Sequence, residues 1–151
     1  MRISFKGDYA LKTILELSLS YGKGLIKISD ISKRKDIPLK YLEQILLQLK
    51  GAGYVNSKRG PEGGYYLVKK PSEITLGEII RLMEGFTSPI SCVSKSCKLK
   101  DRCNDETRCP FRPIWKDIRD MVNGVVDRVN FEDMCVSSED MQKTKTANYE
   151  I

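Results

Sequence analysis

The sequence predicts a mostly α-helical fold with a small β wing, an α+β protein. Three observations lead to this prediction: apolar residues recur at helical spacing over much of the first half, two short β-prone segments flank a glycine-rich turn, and a further apolar helix follows a cysteine-rich loop. The 151 residues suffice for one core of ordinary size, so we expect one compact domain with an extension.

Two helices are predicted at the start of the chain. Over 8–19 the apolar residues have helix-compatible spacing, and Gly22 marks the end of this helix. A short second helix is predicted over 29–35, with Ser29 as its N-cap.

A third helix is predicted from Pro38 to about Ala52, because proline is well suited to the first helical position. Its apolar residues recur at steps of three and four and should pack inward: Leu39, Leu42, Leu46 and Leu49. A short helix, a turn and a second helix form a helix-turn-helix, whose second helix reads base edges in the major groove. The residues predicted to face DNA are Lys40, Tyr41, Glu43 and Gln44.

Two strands over 54–57 and 65–69, joined by a glycine-rich tip, complete a winged helix-turn-helix domain over 1–70. The wing tip carries Lys58, Arg59 and Gly60, which we expect to contact the DNA backbone or minor groove. In the recognition helix, Gln44 suits adenine and Glu43 suits cytosine, whereas Lys40 and Tyr41 suit phosphate. A solvated helix face is the simpler alternative for these residues.

Four further segments are predicted. The connecting segment over 71–85 contains a short helix that is capped by Thr75 and runs through Glu84, and a cysteine-rich loop follows over 86–109. The segment 110–131 forms a long C-terminal dimerisation helix, because its broad apolar face needs a partner subunit to cover it. From residue 132 the sequence is polar and aperiodic, so 132–151 is predicted to be a disordered tail.

Charge is distributed unevenly. Residues 1–74 hold fourteen Lys or Arg against seven Asp or Glu, a balance of +7, while 75–151 hold twelve against thirteen. The basic half is therefore the half expected to meet an anion, either nucleic acid or a membrane surface. No run approaches the ~20 apolar residues of a membrane span. The polar opening residues do not resemble a secretory signal, so we expect a cytoplasmic protein that does not enter a membrane.

The cysteine loop has a regular pattern, in which five residues separate Cys97 from Cys103 and Cys103 from Cys109, and five more precede Trp115. In a reducing cytosol such thiols are more plausible as metal ligands than as disulfides. Their spacing does not match the closer pairs of zinc knuckles, and the basic loop favours the thiolates that iron–sulfur clusters need. Ordinary buried thiols, a zinc site and reversible thiol oxidation are the alternatives.

Five segments together resemble the Rrf2 family of bacterial regulators over positions 1 to about 131. They are the run Ser29-Asp30-Ile31-Ser32, the segment Tyr41-Leu42-Glu43-Gln44, the wing Arg59-Gly60-Pro61-x-Gly63-Gly64-Tyr65, the helix start Ile74-x-x-Gly77-Glu78-Ile79, and the spaced cysteines before Trp115. The resemblance implies a homodimeric winged-helix DNA-binding protein. It also implies an iron–sulfur cluster on Cys97, Cys103 and Cys109, either 2Fe–2S or 4Fe–4S.

The sequence offers several candidates for the fourth ligand of the cluster, none of which is a histidine, since the chain contains none. Some family members use a histidine three residues beyond the third cysteine, where this chain has Arg112. Others use an N-terminal aspartate of the other protomer, and Asp8 occupies that position. A role for Asp8 in stabilising the helix N-terminus is an equally good interpretation. Cys92 is the runner-up ligand, and Cys135 a more distant third.

The sequence therefore predicts a homodimeric transcription regulator, a repressor, that binds a pseudo-palindromic double-stranded operator and senses iron, oxidants or nitric oxide through its cluster. One alternative is a cluster-free family member, signalled by a partner protein or by thiol oxidation as in regulators of cysteine metabolism. A second is an interaction or cluster-carrier protein. An enzyme is not expected, because the chain has no histidine, nucleotide loop or paired carboxylates.

Overall fold

The computed structural model describes residues 3–85, 87–94 and 107–147, with side chains described through residue 141. Within those ranges the chain forms six α-helices and one two-stranded antiparallel sheet, which confirms the predicted fold class. The elements are α1 (Phe5–Leu19), α2 (Ile28–Lys35), α3 (Leu39–Gly51), β1 (Val55–Lys58), β2 (Gly64–Leu67), α4 (Leu76–Glu84), α5 (Arg112–Val126) and α6 (Phe131–Ala147). Two short 3₁₀ helices span Pro71–Glu73 and Ser91–Val93.

The core lies where α1, α2, α3 and the sheet meet, and α4 and α6 close it from the other side of α1. The inward face of α3 consists of Leu42, Ile45, Leu46 and Leu49, each at most 1% exposed. The prediction that Leu39 packs inward is wrong, since its side chain is 45% exposed. Leu39 is the first residue of the helix and lies at its solvent-exposed end. Ile45 is the fourth buried side chain of α3 instead.

Helix α2 begins one residue earlier than predicted, and Ser29 is not its N-cap. Lys27 occupies the cap position and makes no side-chain hydrogen bond there. Ser29 falls inside the helix because Ile26, the residue before the Lys27 cap, is held by two backbone hydrogen bonds to Tyr65, at 3.0 and 2.8 Å. Helix α2 ends at Asp36, whose left-handed conformation (φ 51°) turns the chain towards α3.

The wing is a hairpin in which Val55 pairs with Leu67 and Lys58 with Gly64. Two glycines are required by its geometry. Gly60 has a φ of 115°, a backbone conformation that residues with a side chain rarely adopt. A Cβ on Gly64 would lie only 2.7 Å from the Ile26 carbonyl oxygen. The wing is therefore packed directly against the chain that enters α2.

Helix α4 begins and ends at the predicted residues. The Thr75 hydroxyl accepts a hydrogen bond from the Glu78 N–H, and the Glu78 carboxylate accepts one from the Thr75 N–H at 2.8 Å, a reciprocal capping box. The helix ends at Gly85 in the left-handed conformation. None of the helices in the described ranges is long and apolar enough to cross a membrane.

The C-terminal region differs from the prediction. The predicted helix over 110–131 is α5, which ends at Val126, and the predicted disordered tail contains α6 instead. Helix α6 is anchored by Phe131, which is 2% exposed and whose N–H donates to the Ile74 carbonyl at 3.0 Å. The prediction relied on the polar composition of this segment, whereas the attachment of α6 depends on one buried aromatic side chain and on backbone hydrogen bonds rather than on an apolar stripe.

Candidate nucleic-acid interface and cofactor region

The outward face of α3 is polar and accessible. All four residues predicted there, Lys40, Tyr41, Glu43 and Gln44, are exposed, and the tyrosine side chain is 63% exposed. The opposite face of the helix is fully buried, so α3 is held rigidly while its outer side chains remain available. This is the arrangement that a recognition helix needs.

A basic groove lies beside this face, between the start of α2, the end of α3 and the wing. Lys58, Arg59 and Gly60, all predicted from the sequence, line one side of it. Lys27 and Lys50 line it as well, and no carboxylate is among its described lining residues.

Sequence reasoning missed Lys27 and Lys50, because each lies at the end of a helix and becomes part of the groove only when the wing folds back onto α2. The Lys50 ammonium donates to the Ser57 hydroxyl at 2.8 Å, which links the end of α3 to the first wing strand. The groove therefore has four cationic side chains fixed on three different elements.

Asp8 lies in the first turn of α1, where its side chain is 46% exposed. Its carboxylate pairs with Lys12 at 2.7 Å and lines a surface hollow together with Ile3, Ser4 and Phe5. The position suits both interpretations of Asp8, since the carboxylate lies at the helix N-terminus and is also accessible from outside the protomer.

The start of α1 is tied to the end of α4. Ser4 caps α1 by accepting from the Gly7 N–H at 3.2 Å. The Ser4 N–H and hydroxyl both donate to the Glu84 carboxylate, at 3.1 and 2.6 Å. Since Glu84 directly precedes the cysteine-rich segment, this contact fixes the turn that carries Asp8 to the beginning of that segment.

Two of the cysteines that precede α5 lie within the described ranges. Cys92 lies in the 3₁₀ helix Ser91–Val93 and Cys109 lies just before α5, and both are partly buried. The Arg119 guanidinium donates to the Val93 carbonyl at 2.6 Å, and the Thr87 hydroxyl donates to Asn123, so residues 87–94 are attached to α5.

Cys97 and Cys103 lie outside the described residues. Among the residues that are described, no three Cys, Asp or Glu side chains come together in a group that could hold a metal ion. Cys135 is partly buried on α6. Burial raises the pKa of its thiol, and Glu139 and Glu132 raise it further, which disfavours the thiolate that ligation needs.

Helix α5 exposes an apolar stripe. Phe111, Ile114, Ile118, Met121 and Val125 follow one another at steps of three and four. Phe111, Ile114, Met121 and Val125 are each 53% exposed or more. The residues of such a stripe lie on one side of a helix, and this spacing is typical of a helix that pairs with another helix.

A buried ion pair connects α1 to α2. Glu16, whose side chain is 7% exposed, accepts from Arg34 at 2.8 Å and from Lys35 at 3.1 Å. Burial raises the pKa of Glu16, but the two hydrogen bonds and the two positive charges outweigh it and hold the pKa below its ordinary value of 4.5. The carboxylate is thus ionised, and it fastens the helix-turn-helix to α1.

Comparison with known families identifies this architecture. The model of the Rrf2 family, described as an iron-dependent transcriptional regulator, matches residues 3–137. The chain belongs to the Rrf2 family. This confirms the resemblance found in the wing, recognition-helix and cysteine motifs.

Individual Rrf2 relatives cover most of the chain. It is 34% identical over 148 residues to the HTH-type transcriptional regulator IscR of Aliivibrio salmonicida, which covers 98% of this chain and 85% of that protein. It is 33% identical to IscR of Escherichia coli strain SMS-3-5 over 139 residues, covering 92% of this chain and 83% of that protein. Both names denote transcription regulators.

Solved structures include two kinds of relative. CymR, the global cysteine regulator of B. subtilis, superposes with a TM-score of 0.73 at 35% identity and covers 91% of this chain and 98% of that chain. IscR of T. potens superposes with a TM-score of 0.75 at 26% identity and covers 94% of this chain and 91% of that chain. The fold is therefore shared with both.

Proposed function

We propose that this Rrf2 protein is a homodimeric, DNA-binding transcription repressor whose iron–sulfur cluster senses iron supply, oxidants or nitric oxide. The observation that carries the proposal is the exposed polar face of α3 beside a groove lined by four cationic side chains. Family membership and the cysteine spacing extend it to the cluster.

For DNA, α3 enters the major groove with Glu43 and Gln44 facing base edges. The phosphates are neutralised by Lys40 on α3 and by the groove cations Lys27, Lys50, Lys58 and Arg59. Five phosphate contacts per protomer imply that the logarithm of the binding constant of a dimer falls with log[salt] at a slope of about −9.

For the dimer, the apolar stripe of α5 supplies the contact surface. A stripe of this size left in water is unfavourable for a monomer, and a second copy of α5 covers it with side chains of the same kind. Two-fold pairing places two copies of α3 on one side of the dimer and makes the operator a pseudo-palindrome.

For the cluster, the donor set fits the cofactor. Cys97, Cys103 and Cys109 supply three thiolates, and the accessible carboxylate of the partner's Asp8 supplies the fourth ligand, with Cys92 as the alternative. An iron–sulfur cluster supplies reversible electron transfer and a centre that reacts with oxidants and nitric oxide. Within each protomer, the Ser4–Glu84 contact would hold the turn that carries Asp8 against the end of α4, and the Arg119–Val93 contact would hold the segment that carries Cys92 against α5.

A second candidate is a cluster-free regulator that responds to thiol oxidation or to a partner protein. The superposition with the cysteine regulator CymR, which this chain covers almost completely, supports it as well as the superposition with IscR supports the first candidate. The two candidates share the DNA-binding domain and the dimer, and they differ in whether the thiols of the cysteine loop hold iron.

The test uses protein purified without oxygen. We expect iron and acid-labile sulfide in the wild type, their loss in Cys103→Ala, and a changed affinity for duplexes selected from a random pool. An iron-free wild type that binds the selected duplex fully would favour the cluster-free candidate. Asp8→Ala tests the fourth ligand separately. An unaltered cluster spectrum and stability in that variant would refute ligation by the partner's Asp8 and leave ligation by the three cysteines in place.

A further inference from the structure

Leu47 is exposed in the middle of an otherwise well-packed helix. Its side chain is 73% accessible, although its neighbours Leu46 and Leu49 are fully buried. A single exposed leucine is ordinary on a protein surface, so the argument depends on where Leu47 lies on α3 and not on its exposure alone.

The position of Leu47 on the helix supplies one. With about 100° per residue, the buried side chains of α3 centre on one side, and the residues opposite them are Lys40, Gln44, Leu47 and Gly51. Leu47 is thus on the same line as the residues that face DNA in the proposed function. At Gly51 an added Cβ would meet no atom within 4 Å, so the space beside the leucine is open.

The charges around Leu47 indicate which kind of molecule its side chain contacts. Glu43 lies one turn before it and is the acidic neighbour. Lys40 precedes it on the outward face, Lys50 follows it, and the basic groove with Lys58 and Arg59 lies beside the end of the helix, so the surroundings are basic on balance. These surroundings attract a polyanion rather than an apolar protein surface. The major groove of DNA has one apolar group at its base edges, the C5 methyl of thymine.

We infer that Leu47 is a specificity-determining residue that contacts a thymine methyl group in each half-site. The inference rests on the proposed DNA binding and adds a residue to it. Leu47 lies three residues beyond Gln44, about 4.5 Å along the helix axis, so its thymine is one or two base pairs from the base that Gln44 contacts.

Replacement of thymine by uracil removes only this methyl group and leaves every hydrogen-bonding group in place. Loss of one buried methyl contact weakens binding about fourfold. When both half-sites of a dimer carry the change, the loss is about fifteenfold. The same change has no effect if the leucine side chain is absent.

The experiment selects duplexes from a random pool with the full-length wild type and then replaces each thymine of the consensus by uracil. Affinity is measured by fluorescence anisotropy for the wild type, Leu47→Ala and Val68→Ala. Val68 is also an exposed apolar residue, 54% accessible, but it lies after the second wing strand, which makes it a matched control. Alanine favours helices, so Leu47→Ala should fold, and circular dichroism checks this.

We expect one uracil position per half-site that weakens the wild type and Val68→Ala about fourfold and leaves Leu47→Ala unchanged. Selection with Leu47→Ala should show no preference for thymine there. Uracil-insensitive binding, or an equal uracil effect in Leu47→Ala, overturns the inference while the proposed function stands. Failure of the wild type to select any duplex, with or without its cofactor, overturns both.

Discussion

Replacing Glu16 by glutamine tests whether the buried ion pair holds α1 against the helix-turn-helix. Glutamine keeps the shape of the side chain but removes its negative charge, so Arg34 and Lys35 lose the carboxylate that each contacts within 3.1 Å. The amide can still accept one hydrogen bond. The variant therefore removes charge pairing with little change in packing.

Removing one partner of a fully buried pair costs about 3 to 5 kcal/mol. The cost is lower here because the Arg34 side chain is 58% exposed and turns to water when it loses its partner. The Lys35 side chain is only 22% exposed, so water compensates less for the loss of its partner. We expect the free energy of unfolding to fall by about 2 kcal/mol, which lowers the melting temperature by about 4 to 8 °C for a chain of this size.

The pH dependence follows from the direction of the pKa shift. The pKa of Glu16 is lower in the folded protein than its ordinary value of 4.5, so the stabilisation is fully present at neutral pH and disappears as pH falls through the folded-state pKa. Urea unfolding of the wild type and Glu16→Gln at a series of pH values should show a gap at pH 7 that closes below about pH 4.5. Glu62→Gln, at an exposed wing position, should show no gap.

Two results would refute this reasoning. A gap that persists unchanged in acid would mean that the charge is irrelevant and that glutamine disturbs packing. A gap below about 0.5 kcal/mol at pH 7 would mean that the ion pair merely offsets the cost of burying Glu16.

Three further predictions concern the cap, the DNA contacts and the dimer. Thr75→Ala removes the α4 capping box and should lower the free energy of unfolding by about 1 kcal/mol in urea titrations. Arg59→Ala should weaken binding to all duplexes equally and reduce the salt slope by about 1 per protomer, whereas Gln44→Ala should relax preference at one base pair; anisotropy titrations distinguish the two. Met121→Asp places a charge in the α5 stripe and should yield monomers in sedimentation velocity, while Lys116→Asp, outside the stripe, should not.

Local signals were sufficient for the helix-turn-helix and the wing. The apolar steps of α3, the capping box at Thr75 and the glycines of the wing each depend on near neighbours in the chain, and each prediction was close to the observed element. Leu39 was assigned wrongly because helix periodicity does not show where the neighbouring elements stop covering α3. Ser29 was assigned wrongly because the start of α2 depends on the hydrogen bonds between Ile26 and Tyr65, which are distant in the sequence.

Helix α6 carried a readable signal that was overlooked. Asn130 and Asp133 exchange hydrogen bonds, at 3.3 and 3.0 Å, in the pattern of a capping box. Asn130 directly precedes the helix and Asp133 lies in its first turn. The prediction of a disordered tail rested on the polar and aperiodic sequence from residue 132 and did not use this cap. The basic groove is a different case, since Lys27, Lys50 and Arg59 are distant in the chain and only the folded wing brings them together.

Helix α1 joins the two functional regions of the protomer. Asp8 near its start and Glu16 in its fourth turn are eight residues apart, about 12 Å along the axis. The first turn is bound to Glu84 beside the cysteine segment, and Glu16 is bound to the last turn of α2. A helix with a fully buried face does not bend easily, so a force applied to Asp8 moves Arg34 and Lys35 with it unless one of these contacts breaks. Because α2 packs against α3, α3 would follow such a movement of α1. In the proposed dimer, the spacing of the two copies of α3 would therefore depend on the position of α1.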